Sequence, residues 1–180
     1  LTDNGDGSWD YTPSDDDDGD VSFSYTITDD GTTDGVADNR SVTGTASVDI
    51  TTINDAPITS GVTLSAIAED SGAYTITSSA LLANAADVEG DTLTVSDLII
   101  ATGQGTLIDN GDGSWDYTPS DDDDGDVSFS YTITDDGTTD GVADNRSVTG
   151  TASVDITTIN DVPTSSPVTL SAIAEDSGAY

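Results

Sequence analysis

Residues 127–134 read VSFSYTIT, and residues 21–28 read VSFSYTIT again. Every second position is apolar, Val127, Phe129, Tyr131 and Ile133 in the later copy. Alternation at period two, carried by aromatic and branched side chains, is the pattern of a strand with one face buried and one wetted. The octet therefore predicts β structure, and its recurrence predicts that the structure comes in copies.

Outward from the octet the recurrence extends over residues 1–74, which return as residues 107–180 at an offset of 106. Five of the 74 pairs differ: Thr2/Ile108, Ala56/Val162, Ile58/Thr164, Thr59/Ser165 and Gly61/Pro167. A period of that length is too long for a solenoid turn and suits one globular domain. Pro57 and Pro163 punctuate the pattern. They frame residues 58–163 as a complete repeat, residues 1–57 as the C-terminal part of the one before, and residues 164–180 as the start of the next. The two end pieces do not add up to a whole unit. Either neighbours supply the missing strands or the chain is a window on a longer array.

Within the complete repeat, Val62, Leu64 and Ala66 alternate inward in a first strand, followed by Tyr74 and Ile76 in a second. Residues 78–87 (SSALLANAAD) predict a short capped helical turn. Leu93 and Val95 alternate, but Leu98 and Ile100 continue out of phase, which predicts a bulge near Asp97. Leu107, a DNGDG turn, Trp115 with Tyr117, the octet, and Ala152, Val154 and Ile156 complete seven short strands. The expected fold is all-β, seven-stranded β-sandwich repeats of the immunoglobulin or cadherin type in tandem.

Charge narrows the function. The 180 residues hold 36 Asp+Glu against two Lys+Arg, a formal net charge of −34, with no His and no Cys. No His or Cys means no Ser-His-Asp or Cys-His nucleophile, no ordinary zinc or haem ligation and no disulfide. Two Arg cannot neutralise phosphates, so nucleic acid is excluded as a partner, and an anionic bilayer would repel the chain. No apolar run of 18 residues is present, so this segment does not insert into a membrane. Paired carboxylates alone are poor grounds for a glycosidase, because nothing forms an aromatic sugar cleft. We expect no enzyme. The composition favours a hard cation held by oxygen, and Ca2+ above all.

The acids are grouped between strands. Glu69 and Asp70 follow the first strand, and Asp87, Glu89 and Asp91 follow the second. Asp121 to Asp124, with Asp126, precede the octet; Asp135 and Asp136 follow it; Asp55 and Asp161 lie in the linkers. In a seven-strand sandwich, loops after odd strands share one pole and loops after even strands the other. Glu69, Asp70, Asp121, Asp124, Asp126 and Asp161 are thus expected at one end, and Asp87, Glu89, Asp91, Asp135 and Asp136 at the other. Stacked head to tail, these poles face each other across the linker, and a divalent cation would convert their repulsion into ligation. The DNGDG turn is not an EF-hand loop. Set in register, its first position is Thr2 or Ile108 and its twelfth Pro13 or Pro119, where Asp and Glu are required.

The phrases AEDSGAYTIT (68–77), DVEGDTL (87–93), GSWDYTP (113–119), VSFSYTITD (127–135) and TTINDAP (51–57) resemble cadherin repeats. They resemble more closely the cadherin-like tandem repeats of giant bacterial surface adhesins of the RTX type. That resemblance implies calcium-rigidified extender modules of a secreted, extracellular protein. It implies Glu69 as a first-strand ligand, Asp55 and Asp161 as linker ligands, Asp87 with Glu89 as the paired acids of the next domain, and Asp135 or Asp136 beside them. The linker departs from the eukaryotic cadherin pattern: in place of an acid and Asn-Asp-Asn it has Thr51, Ile53, Asn54 and Asp55. The expected partners are neighbouring repeats of the same protein, or further copies joined into a homopolymer by strand exchange. The alternative is a binding module whose Thr-rich sandwich faces engage glycan, ice or protein.

Overall fold

The computed structural model describes residues 1–17, 19–176 and 178. Of the expected third segment, Ser177, Ala179 and Tyr180 lie outside the described residues.

The octet decides the architecture as its alternation requires. Strand Val127–Thr134 buries Val127, Phe129, Tyr131 and Ile133, and pairs antiparallel with Ser147–Val154 on one side and Thr94–Thr102 on the other. Val62–Thr63 adds to the far edge of Ser147–Val154 in parallel, completing a four-stranded sheet. The opposing sheet has three strands, Tyr74–Thr77, Ser114–Thr118 and Thr106–Asp109, with Ser114–Thr118 in the middle. Four and three strands facing each other make the seven-stranded sandwich, and among the described residues the structure is all-β apart from one short helix.

Between the sheets lie Ile76, Leu81, Leu98, Trp115, Tyr117, Phe129, Tyr131, Ile133 and Val154, all buried. Tyr117 and Phe129 meet edge to face with ring centroids 5.3 Å apart, the arrangement that ring quadrupoles favour. Burying a Tyr requires a partner for its hydroxyl. Tyr117 donates to the Gln104 carbonyl at 2.6 Å and Tyr131 to the Leu81 carbonyl at 2.8 Å. Tyr131 also lies over Gly150, its cross-strand partner; a Cβ there would strike the ring.

Two local expectations are corrected, the reach of the first strand and the length of the helical turn. Ala66 is exposed: pairing with Ser147–Val154 ends after Leu64, and the chain resumes at Ile67–Ala68 against Ile156–Thr157, with Ile67 half-buried instead. The helical turn is shorter than residues 78–87. Thr77 caps it, it spans Ser78–Leu81, and Ala85–Ala86 is already a strand paired with Ile58–Thr59. A single capped turn is too short to propagate on its own, and the backbone of Ala85–Ala86 is taken up by pairing with Ile58–Thr59 instead. The Asn-Gly-Asp-Gly hairpin adds no ligand loop: Asp109 and Asp112 accept from Gly111 N–H and Ser114 N–H and so close the turn. The bulge is present, with register lost between Ser96 and Ile99 and Asp97 at φ 55°.

Residues 1–57 repeat the second half of this unit without its first half. Val21–Thr28 pairs with Ser41–Val48 in the same register as its copy. The counterparts of Val62–Thr102 are not among those residues, so the apolar face is bare. Tyr25 is 48% exposed and Ile27 55%, where Tyr131 and Ile133 are 2% and 0%.

Candidate metal centre

The pole formed by the even-numbered loops carries the densest acid. In the DVEGDTL loop, Asp87 Oδ1 accepts from the backbone N–H groups of Glu89 and Asp91, both at 3.1 Å, and Gly90 at φ 80° permits the turn. The three carboxylates thereby converge, with oxygens within 4.8 Å of one another. From the loop after the octet, Asp135 enters the same pole, 2% exposed. Its Oδ1 accepts from Gly137 N–H at 3.2 Å and Arg146 N–H at 2.8 Å. Asp136 accepts from Thr92 N–H at 2.7 Å, tying the two acidic loops together.

The linker closes this pole. Asn54 is 1% exposed. Its backbone N–H donates to Thr139 Oγ1, and its Nδ2 donates to Asp135 Oδ1 at 3.2 Å and the Asp144 carbonyl at 2.9 Å. Asp55 N–H donates to Glu89 Oε2 at 3.3 Å. The donors are thus consumed on one set of oxygens, and another set is left over. Asn54 Oδ1, Asp87 Oδ2 and Asp135 Oδ2 are buried and have no hydrogen-bond partner. Three orphaned acceptor oxygens at one pole are costly without a donor or cation. Gly137 forms the floor: a Cβ there would collide with Asn54 Oδ1 and Asp91 Oδ2. Neither Arg relieves the charge, since Arg146 pairs with Asp144 and Arg40 with Asp38. The residues fit a hard cation. Asn54, Asp87, Asp91 and Asp135 would supply oxygens, and the ion would supply the missing positive charge.

The crowding displaces a proton equilibrium. Desolvation, reinforced by Asp87, Asp136, Asp135 and Glu89, pushes the Asp91 carboxyl above the ordinary value of 3.8. Asp144 goes the other way, held down by hydrogen bonds from Thr139 and then Arg146. Folded Asp91 binds its proton more tightly than the unfolded chain, so stability falls as pH rises from 3.8 through its elevated pKa. The contribution of Asp144 is present above 3.8 and lost as pH falls through its lowered pKa. The calcium-free chain should therefore melt highest on the acid side of neutrality, just above the ordinary Asp value. Saturating calcium should move that optimum toward neutral pH, because protons compete for the same oxygens. Thermal melts across a pH series, in chelator and in calcium, measure this.

The opposite pole is more open. Glu69 is 5% exposed, and its Oε1 accepts from Ile159 N–H at 2.6 Å, clamping the outgoing linker. Asp70, Asp122 and Asp161 converge with oxygens within 4.8 Å, all three exposed. Asp122 N–H donates to Asp70 Oδ1 at 3.4 Å. Asp121, Asp124 and Asp126 are exposed and outside both clusters, and Asp122 stands in the position expected of them. Sequence reasoning also passed over Asn54, because a search for charge does not see a neutral carboxamide. Its burial comes from a loop far away in sequence, so no local signal marks it.

A family model described as "Cadherin-like domain" matches residues 1–51 and 53–157. No curated protein matches the chain. Among solved structures, the endo-fucoidan hydrolase MfFcnA4 from glycoside hydrolase family 107 is 22% identical, with TM-score 0.36 over 82% of this chain and 20% of that one. Endo-fucoidan hydrolase MfFcnA9 of the same family is 16% identical, with TM-score 0.33 over 75% of this chain and 22% of that one. The chain spans about a fifth of the length of those enzymes. Among the described residues no helix is long and apolar enough to cross a membrane.

Proposed function

Since this chain belongs to the cadherin-like domain family, we propose that it is a calcium-rigidified, non-catalytic extender segment of a secreted surface adhesin. The observation that carries this reading is the trio of orphaned oxygens on Asn54, Asp87 and Asp135, one from the linker and two from the repeat that follows it. An ion held by both would lock linker to domain. Extracellular calcium modules bind at about 10⁻⁴–10⁻³ M, so such a site is empty in the cytosol and filled outside. Glu69, Asp70, Asp122 and Asp161 would serve the next junction in the same way.

Calcium in hundredfold excess over Kd stabilises one such site by about 2.7 kcal/mol. In a domain of this size that raises Tm by on the order of 10 °C. Chelation should lower Tm accordingly and raise the radius of gyration in small-angle scattering, as linker and domain unlock. If neither quantity responds to calcium, the reading fails.

A second reading rests on the outer face of the four-stranded sheet. Cross-strand pairs there are Ser128–Ser153, Ser130–Thr151, Thr132–Thr149 and Thr134–Ser147, flanked by Thr94 and Ser96. This hydroxyl lattice carries no charge on a chain of net −34, a surface suited to neutral glycan or ice. Glycan-array and ice-affinity retention of the chain test it.

A further inference from the structure

Residues 58–163 hold one basic residue, Arg146, and it is not spent on the orphaned oxygens. Its Nη2 donates to Asp144 Oδ2 at 3.0 Å, and Thr139 Oγ1 donates to the same oxygen at 2.8 Å. A carboxylate only accepts and a guanidinium only donates. The Thr139 proton is therefore committed to Asp144, and its lone pairs are free to accept from Asn54 N–H at 3.0 Å. From Asn54 through Thr139 to Asp144 the bonds run in one direction, the condition under which neighbours strengthen one another. The same triad recurs at Thr33, Asp38 and Arg40, with lengths of 2.8 and 2.9 Å, so it belongs to the hairpin's own sequence. The hairpin offers the linker a second group. Asp140 and Gly141 turn at φ 51° and 71° between Thr138–Thr139 and Val142–Ala143, as an Asp-Gly hairpin does. Asp140 N–H donates to the Thr52 carbonyl at 3.2 Å. The linker main chain is thus held on both sides of Ile53, which is 64% exposed.

We infer that the hairpin Thr138–Ala143 is a metal-independent socket for the linker Thr52–Asn54, and that Thr139 is the residue positioning the Asn54 oxygen at the cation site. None of the groups that seat the main chain is an orphaned oxygen: they are the Thr139 hydroxyl, the Asp140 N–H, the Thr52 carbonyl and the Asn54 N–H. Once the main chain is seated, the carboxamide has one orientation. Nδ2 faces two acceptors, Asp135 Oδ1 and the Asp144 carbonyl, so Oδ1 is left on the side of Asp91 Oδ2, where a Cβ on Gly137 would meet both. The ion then finds a linker ligand already aimed, and less ordering remains to be done on binding. This second step rests on the calcium reading; the socket does not.

Hydrogen exchange of the Asn54 amide, followed by NMR on the 180-residue chain in EDTA, reads the socket with no metal present. In the parent this amide should exchange about tenfold or more slowly than an open one, and more slowly still in calcium. Thr139→Val keeps shape and charge but removes the hydroxyl. It should exchange about fivefold faster and bind calcium about fivefold more weakly by calorimetry, the worth of one neutral hydrogen bond. Thr139→Ser should restore both. Asn54→Asp sets the socket against simple charge counting. An added carboxylate by itself strengthens calcium binding. The socket requires weaker binding, by about fivefold, because the variant has no donor for Asp135 Oδ1 and the Asp144 carbonyl. An Asn54 amide unprotected in the parent, or a Thr139→Val chain that exchanges like the parent, overturns the socket. Faster exchange with parent-like calcium affinity in Thr139→Val, or tighter binding in Asn54→Asp, upholds the socket and overturns its aiming of the oxygen. A parent that takes up no calcium overturns the calcium reading and the aiming with it, while exchange in EDTA still decides the socket.

Discussion

Replacing Phe129 with Ala should remove about 3–5 kcal/mol from the stability of the complete unit, the cost of emptying a fully buried aromatic site. The same substitution at Phe23, in an identical octet, should cost no more than about 1.5 kcal/mol, the scale of one aromatic pair. Phe129 is 0% exposed and packs on Tyr117. Phe23 keeps the matching edge-to-face contact with Tyr11, at 5.4 Å, but is only half-buried and faces a two-stranded remnant of the opposing sheet, Thr2–Asp3 with Trp9–Asp10. Sequence, register and ring pairing are held constant, so the difference isolates the contribution of residues 58–106. Each half carries one Trp, and Trp115 is 5% exposed while Trp9 is 59% exposed. Urea unfolding followed by fluorescence in a Trp9→Phe background therefore reports Phe129→Ala in the complete unit, and the same measurement in a Trp115→Phe background reports Phe23→Ala. Equal losses at the two positions would mean that the sandwich contributes nothing to the strand it covers.

This comparison also marks what a one-dimensional reading reaches. Period-two alternation places Val127, Phe129, Tyr131 and Ile133 on one face because strand geometry leaves no other choice. The phase break between Val95 and Leu98 gives the bulge for the same reason. Alternation does not say where pairing stops, and so Ala66 was expected inside. Strand Val62–Thr63 runs out of partner before reaching it, and Ile67 takes its place against Ile156. The acidic loops follow from strand parity, which assigns Asp87, Glu89, Asp91, Asp135 and Asp136 to one pole without any side-chain detail. Choosing among neighbours within a loop needs backbone angles. Asp122, at φ 55°, turns toward Asp70, and Asp121 and Asp124 do not. Asn54 was invisible for a different reason. Its importance comes from burial by a loop 81 residues away in sequence, and nothing local records that.

The Gly137 floor gives the sharpest separation of cation binding from folding. Gly137→Ala should weaken calcium binding at least tenfold, about 1.4 kcal/mol, without adding or removing a charge. The glycine does not have a left-handed φ, so Ala is excluded by space and not by backbone strain. Its Cβ would occupy the position of the Asn54 carboxamide and press on Asp91 Oδ2. Asn54 would then be driven from its hydrogen bonds to Asp135 and to the Asp144 carbonyl, taking the linker oxygen out of the site. The control is again supplied by the repeat. Gly31 is the counterpart of Gly137, and a Cβ on it would come no closer than 3.3 Å to Asp29 Oδ1, with no linker docked above. Gly31→Ala should leave calcium affinity unchanged. Calorimetric titration measures both variants, and a retained Trp115 emission shows that the core of Gly137→Ala is intact. Parent-like affinity in Gly137→Ala would show that the orphaned Asn54 oxygen takes no part in holding the ion, leaving the carboxylates of the repeat to bind it alone. A loss confined to Gly137→Ala would place one ligand of the ion in the linker, and the stiffness of the junction would follow from that single shared oxygen.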